Sequence, residues 1–279
     1  MRGSSLNARK TTDQTLTERL RAAGCVFAED EAELLLTAAT SPEQLEEMVR
    51  QRVRGLPLEQ ILGWAEFGGF RIAIEPGVFV PRRRTELILR QAQIVAPPRP
   101  VVVELCCGSA ALALALASTL RDVELYATDI DPVAVRCARR NLAGLAEPGE
   151  VFEGDLYEPL PQFLAGRVDL LLANAPYVPT DSIELMPPEA RLYEPRMALD
   201  GGSDGLDTLR RIITGARRWL APNGRLLMET SPSQAPASVA ACKRQGLKAR
   251  IVTSDELDAT VVLAWPAGDS PDNQAGGGH

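Results

Sequence analysis

The spacing of apolar positions along the 279-residue chain changes several times, and each change predicts a different kind of element. Between residues 13 and 54 apolar side chains recur every three or four positions, the spacing of amphipathic helices. "TLTERLRAAG" ends at Gly24, "EDEAELLLTAA" comes next, and "SPEQLEEMVRQRVRG" closes at Gly55. The third opens with Ser41 as N-cap, Pro42 at the first helical position and Gln44 three residues after the serine. These helices are too short to bury a large core alone, so a small helical domain is expected. In "FGGFRIAIEPGVFVP" (67–81) the period falls to two on either side of Pro76-Gly77, which predicts a β-hairpin joining the helices to the remainder of the chain.

After the proline-rich break "APPRP" (96–100) short apolar runs alternate with helical ones. "VVVEL" (101–105), "ELYAT" (124–128), a short run at Val151-Phe152, "VDLLLA" (168–173) and "RLLMET" (225–230) read as strands. Helices are expected over 109–120, 132–143, 205–220 and around 234–245. Buried strands alternating with helices imply an α/β fold with a parallel, doubly wound sheet. The last two runs, "KARIVTS" and "TVVLAWP", are separated only by "DELDA", too few residues for a crossover, and must pair antiparallel. A Rossmann-like parallel sheet finished by an antiparallel hairpin is the arrangement of S-adenosyl-L-methionine (SAM) methyltransferases, not of a plain dinucleotide dehydrogenase. Residues 1–12 and the Gly/Asp/Asn-rich tail 268–279 are expected to be disordered.

Composition narrows the partners. A 45% hydrophobic, 24% charged chain is ordinary for a globular protein. A net charge of −7 argues against direct nucleic-acid binding, because duplex affinity rests on neutralising phosphates. The run Arg82-Arg83-Arg84 is a local exception, for which a solvated loop is as good an account as a binding role. Cysteines 25, 106, 107, 137 and 242 have no zinc-ligand spacing, and the single histidine is His279, so neither a metal nor histidine catalysis is expected. The cysteines read as reduced, buried thiols of a cytoplasmic protein. The start, "MRGSSLNARKTTD", is too polar for a signal peptide, and "AALALALASTL" (110–120) is too short to span a bilayer.

Ligands of such sheets bind beyond the carboxyl ends of the strands, and four of those ends carry chemistry. The first ends in "VELCCGSAA", where a glutamate and a turn containing Gly108 let backbone approach a ligand beside a helix N-terminus. The second ends in Asp129, able to accept both hydroxyls of a ribose. "EGDLYEP" comes after the third, placing Asp155 to accept from an adenine amine and Leu156 to pack on its ring. The fourth ends in "NAPY" (174–177). Each signal alone has a bland alternative, a structural glycine or a helix cap. Their order at consecutive strand–helix units favours a nucleoside cofactor.

From Gly55 to about Ala264 the sequence resembles the protein glutamine N-methyltransferases of the HemK/PrmC group. The matching stretches are "GLPLEQILGWAEFGGFRI", "GVFVPRRRTE", "ATDIDPVAVRCARRNL", "GDLYEPL", "NAPYV", "YEPRMALDGGSDGLD" and "LAPNGRLLMETSPSQ". The resemblance implies a methyl transfer from SAM to a glutamine side-chain amide of a peptide chain release factor. It implies that Glu104 and the turn Cys106, Cys107, Gly108, Ser109, Ala110 hold the methionine part of SAM. Asp129 would hold the ribose, Asp155 and Leu156 the adenine, and Asn174, Ala175, Pro176 and Tyr177 the substrate amide. The domains it implies are a substrate-recognition region (13–65), a linking hairpin (66–81) and a methyltransferase domain (82–267).

The chain departs from the group's pattern in places. The usual Asp-Leu-Gly-Thr-Gly-Ser-Gly is here Glu104-Leu-Cys-Cys-Gly-Ser-Ala110, with two glycines lost. Asn-Pro-Pro-Tyr is here Asn174-Ala-Pro-Tyr177. The Pro-Glu after Arg82 is Arg83-Arg84, and the helical region is shorter.

An amide nitrogen is a poor nucleophile because its lone pair is delocalised. Acceptance of its two hydrogens by the Asn174 side-chain oxygen and the Ala175 carbonyl would localise that pair and stabilise the developing positive charge. Pro176 would stiffen the turn and Tyr177 offer a flat face to the amide. Phe79 and Tyr193-Glu194-Pro195 either complete the wall or simply pack. Two alternatives are an adenine-amine methyltransferase acting on nucleic acid and a SAM-fold binding or regulatory protein without catalysis.

Overall fold

The computed structural model describes residues 14–147 and 149–268. Of the ends expected to be disordered, 1–12 and 268–279, all but Gly268 lie outside the described residues. Residues 14–22 form a helix (α1), followed by α2 (Ala28–Ala38), α3 (Pro42–Val53) and the short α4 (Leu58–Leu62). Ser41 caps α3 by accepting from the Gln44 amide, and the Gln44 side chain reaches back to the Thr40 amide at 2.7 Å. The apolar faces of these helices meet in a small core of their own around Leu20, Leu35 and Val49.

The hairpin lies earlier than expected. It pairs β1 (Trp64–Phe67) with β2 (Phe70–Ala73) through Gly68-Gly69, and Pro76-Gly77 is a separate turn beyond it. Gly68 and Gly69 take φ of 59° and 83°, the double left-handed geometry a two-residue hairpin turn requires and proline cannot supply.

Helix α5 (Glu86–Val95) was not foreseen from the pattern. It continues a 3-10 turn at Arg83–Thr85, and Thr85 is itself helical and makes no side-chain cap, so the usual start signal is missing. It buries Leu87, Ile88, Leu89 and Ala92. The alternation beyond it agrees closely with the pattern: β3 (Val101–Leu105), α6 (Ala111–Thr119), β4 (Glu124–Asp129), α7 (Pro132–Leu142), β5 (Glu150–Glu153) and β6 (Val168–Ala173). An insert of short turns with α8 (Pro188–Tyr193) precedes α9 (Asp207–Trp219), β7 (Leu220–Thr230), α10 (Ala235–Arg244), β8 (Leu247–Ser254) and β9 (Ala259–Pro266).

The other seven described strands form one sheet in the order β5-β4-β3-β6-β7-β9-β8. The first five run parallel, and β9 slips antiparallel between β7 and β8. Apolar cores cover both faces, one built with α5, α6 and α7 and the other with α9 and α10. That is why β3 is buried at all five positions and reads as a continuous apolar run.

Candidate active site

A cavity opens at the carboxyl ends of β3, β4, β5 and β6. The strand order steps from β3 to β4 on one side and to β6 on the other, so successive crossovers leave on opposite faces and a crevice remains between them.

Beyond β3, Glu104 is 4% exposed and accepts from the Ala113 amide at 2.9 Å, in the first turn of α6. Burial pushes its carboxyl up to about 8, against that hydrogen bond and reinforced by the charge of Asp129. In the adjoining turn Cys106, Gly108 and Ala110 take φ of 53°, 55° and 57°. The two positions that have lost glycine are therefore left-handed all the same, at a cost of roughly 1–2 kcal/mol each. Gly108 and Ser109 line the cavity, whereas Ala110 is fully buried behind it.

Asp129 stands at the tip of β4. One carboxylate oxygen accepts from the Gly108 amide at 2.8 Å and the other from the Asp131 amide at 2.9 Å, which fixes its plane and leaves further lone pairs toward the cavity. Burial raises its proton affinity, and these amides oppose that. Asp155 and Leu156 come after β5 and line the cavity as well. Asp155 is not alone there, because Arg211 of α9 donates to it at 2.6 Å.

Asn174 and Pro176 face the cavity beyond β6. Ala175 is buried, and Tyr177 turns its hydroxyl to Glu229 at 2.9 Å. Phe79 and Pro195 also line the cavity. Tyr193 instead donates to the Arg54 carbonyl, and the buried Glu194 accepts from Arg82 at 2.6 Å and from the Val80 amide at 3.3 Å, tying the insert to the 77–82 segment.

Three residues escaped the sequence reading: Thr85, Arg211 and Glu229. Asn174 donates through Nδ2 to Thr85 Oγ1 at 3.1 Å, and Thr85 donates to Glu229 at 2.6 Å. Glu229 stands near the carboxyl end of β7, and the rule that singled out Glu104 and Asp129 would have found it there. Nothing in the sequence alone announces Thr85 or Arg211.

Four acidic side chains (Glu104, Asp129, Asp131 and Asp155) and one guanidinium, already paired, line the cavity. An acidic lining of this kind suits a cationic nucleoside and repels a pyrophosphate. SAM, with its ammonium and sulfonium charges, fits that donor set. Among the described residues no group of side chains could hold a metal ion.

The doubly wound sheet closed by an antiparallel strand, with this cavity at its switch point, defines a SAM-dependent methyltransferase. Residues 70–187 match the methyltransferase small domain family. A release factor glutamine methyltransferase of Geobacter sulfurreducens is 39% identical over 209 residues, covering 74% of this chain and 72% of that protein. One of Mycolicibacterium smegmatis is 36% identical over 256 residues, covering 85% and 89%. Among solved structures, a methyltransferase from Pyrococcus furiosus shares the fold, with a TM-score of 0.56 at 15% identity over 80% of this chain and 100% of that one. The chain belongs to the release factor glutamine methyltransferase family.

Proposed function

We infer that this chain transfers a methyl group from SAM to the side-chain amide nitrogen of a glutamine in a peptide chain release factor. The observation that carries the reading is Asn174 at the tip of β6, on the same cavity as the carboxylates, with its nitrogen tied to Thr85. Its Oδ1 is then the end available to a substrate amide. The names of the relatives in two genera support the same substrate, and neither an adenine-amine target nor a purely regulatory role is favoured.

When bound, SAM supplies an electrophilic methyl on a sulfonium. Glu104 and the Cys106–Ala110 turn are the proposed seat of its methionine part, Asp129 of the ribose, and Asp155 with Leu156 of the adenine. Asn174 Oδ1 and the Ala175 carbonyl accept the two hydrogens of the substrate amide, localise its lone pair and aim it into the cavity. Placement of this kind recovers roughly 7–11 kcal/mol of a bimolecular barrier. The proton lost from the methylated nitrogen passes to water, because a protonated amide is a strong acid and needs no histidine.

Residues 13–65 are assigned to recognition of the protein substrate. Their separate core and their attachment beside the insert at the cavity mouth support this. A cytoplasmic setting fits a translation factor as substrate. It also fits five free thiols that burial keeps protonated: Cys25 and Cys137 are pushed up to about 11 and Cys242 to about 12, with Cys106 and Cys107 raised as well. No described helix is long and apolar enough to cross a membrane.

The test is labelled-methyl transfer from SAM into purified release factors, with mass-spectrometric localisation of the modified residue. Asn174→Ala is expected to lower kcat by at least about 100-fold while SAM affinity, read by calorimetry, stays within about threefold. Asp129→Ala is expected to do the reverse, weakening SAM binding about tenfold or more. Label on a residue other than glutamine, or equal losses in both properties for Asn174→Ala, would overturn the reading.

A further inference from the structure

We propose that Glu229 and Thr85 are positioning residues forming a polarity relay, which dictates that the oxygen end of the Asn174 carboxamide meets the substrate. The proposal rests on the amide-gripping role given to Asn174 above and explains what orients it.

A carboxamide is nearly symmetric in shape, so packing alone cannot decide whether its C=O or its NH₂ points into a cavity. For a substrate that is itself an NH₂ donor, one orientation grips and the other repels. Something must break the tie, and the hydrogen-bond chain behind Asn174 does so.

At the far end of the chain Glu229 is 1% exposed. Its carboxylate receives the Tyr177 hydroxyl at 2.9 Å, the Thr85 hydroxyl at 2.6 Å and the Arg84 guanidinium at 3.3 Å. Burial raises the proton affinity of Glu229, and the Thr85 hydroxyl, the Arg84 guanidinium and the Tyr177 hydroxyl oppose it; arginine can only donate, so the cluster converges on a carboxylate that accepts. Thr85 has one proton, and Glu229 takes it. The lone pairs of Thr85 Oγ1 are left facing Asn174 Nδ2 at 3.1 Å, and only the NH₂ end of the amide can satisfy them. The Asn174 oxygen is thereby turned toward the cavity.

Two further contacts hold the frame. Gln234 donates from one nitrogen to the carbonyls of Tyr177 at 2.8 Å and Asp204 at 2.9 Å. The Tyr177 hydroxyl ties the same loop to Glu229. The Tyr177 end of the 174–177 turn is thus anchored to Glu229 and Gln234, the Asn174 end is held by Thr85, and Thr85 and Glu229 are both buried.

Glu229→Gln keeps the shape but supplies an NH₂ in place of an acceptor. When that NH₂ faces Thr85, the hydroxyl proton turns to Asn174, whose oxygen must turn inward to receive it. The substrate then meets donor against donor.

The experiment compares Thr85→Val, Thr85→Ser, Glu229→Gln and Asn174→Ala with the parent enzyme, using a purified release factor and SAM. Thr85→Val and Glu229→Gln are each expected to lower kcat about 100-fold, with SAM affinity by calorimetry within about threefold of the parent. Thr85→Ser is expected to retain kcat within about fivefold. The Thr85→Val/Glu229→Gln double variant is expected to lose no more than either single one, because one chain has been cut twice. The relay is overturned if Thr85→Val keeps kcat within about threefold while Asn174→Ala has lost it. It is also overturned if Thr85→Ser is as inactive as Thr85→Val, or if Glu229→Gln loses SAM affinity in step with kcat. Retained turnover in Asn174→Ala would instead bring down the amide-gripping role itself. Should Glu229→Gln fail to fold, the valine and serine pair at Thr85 decides alone.

Discussion

Glu104 shows the site's chemistry at the scale of one side chain. Without a cofactor its carboxyl titrates near 8 instead of the ordinary 4.5, because burial penalises the charge more than the Ala113 amide rewards it. Between those two values the folded chain keeps a proton that the unfolded chain has released, so stability falls as pH rises through that window and levels off above about pH 8. Glu104→Gln removes this penalty while still accepting from Ala113. Its cofactor-free unfolding midpoint is expected to exceed the parent's by a few degrees at pH 8 and to match it near pH 4.5. SAM affinity is expected to fall together with the lost charge. Calorimetric scans at the two pH values decide the matter, and equal midpoints at pH 8 would contradict the account. Residues of this kind were legible in the sequence, since an acid at the end of an apolar run has few structural reasons to be there. Thr85 was not legible. It gains its role from Glu229, 144 positions away, and nothing beside it in the sequence points to that partner.

At the scale of elements, buried strands announced themselves because apolar runs too short for helices leave few alternatives. Elements that start without a cap or turn by glycine alone were harder to read. Helix α5 grows out of a 3-10 turn, and the hairpin turn was hidden behind the stronger-looking Pro76-Gly77. The loop before α9 shows how closely neighbouring elements constrain the site. Gly205 takes φ of 75°, and a Cβ there would lie 2.2 Å from the Tyr177 carbonyl oxygen and 2.3 Å from Gln234 Nε2. The backbone leaving β6 and the start of α10 leave no space for a methyl group. Gly205→Ala is expected to displace the 174–177 turn and lower kcat about 100-fold, with the SAM-binding half across β3 and β4 affected far less. Turnover and calorimetry on one preparation test this, and near-parental turnover would show that the turn tolerates the shift.

For the whole molecule, the question is how the helical region is held to the sheet-bearing part. Arg52 of α3 is 6% exposed and joins the two. It pairs with Glu31 of α2 at 2.5 and 3.0 Å, and with Glu189 of the insert at 2.6 Å. Removing a buried partner strands the other charge, typically at about 3–5 kcal/mol. Arg52→Ala is therefore expected to speed hydrogen exchange in α2 and α3 while the sheet stays protected. Activity on a release factor is expected to drop with SAM affinity unchanged. Fast exchange spreading through β3 and β6 would mean the two parts unfold as one.

The placement of β9 has a consequence for how the enzyme comes into being on the ribosome. β7, the strand bearing Glu229, has an open edge until residues 259–266 slot in beside it, after β8 has already been synthesised. A chain growing from its N-terminus therefore holds every strand of the nucleoside crevice before the strand bearing Glu229 can gain its second neighbour.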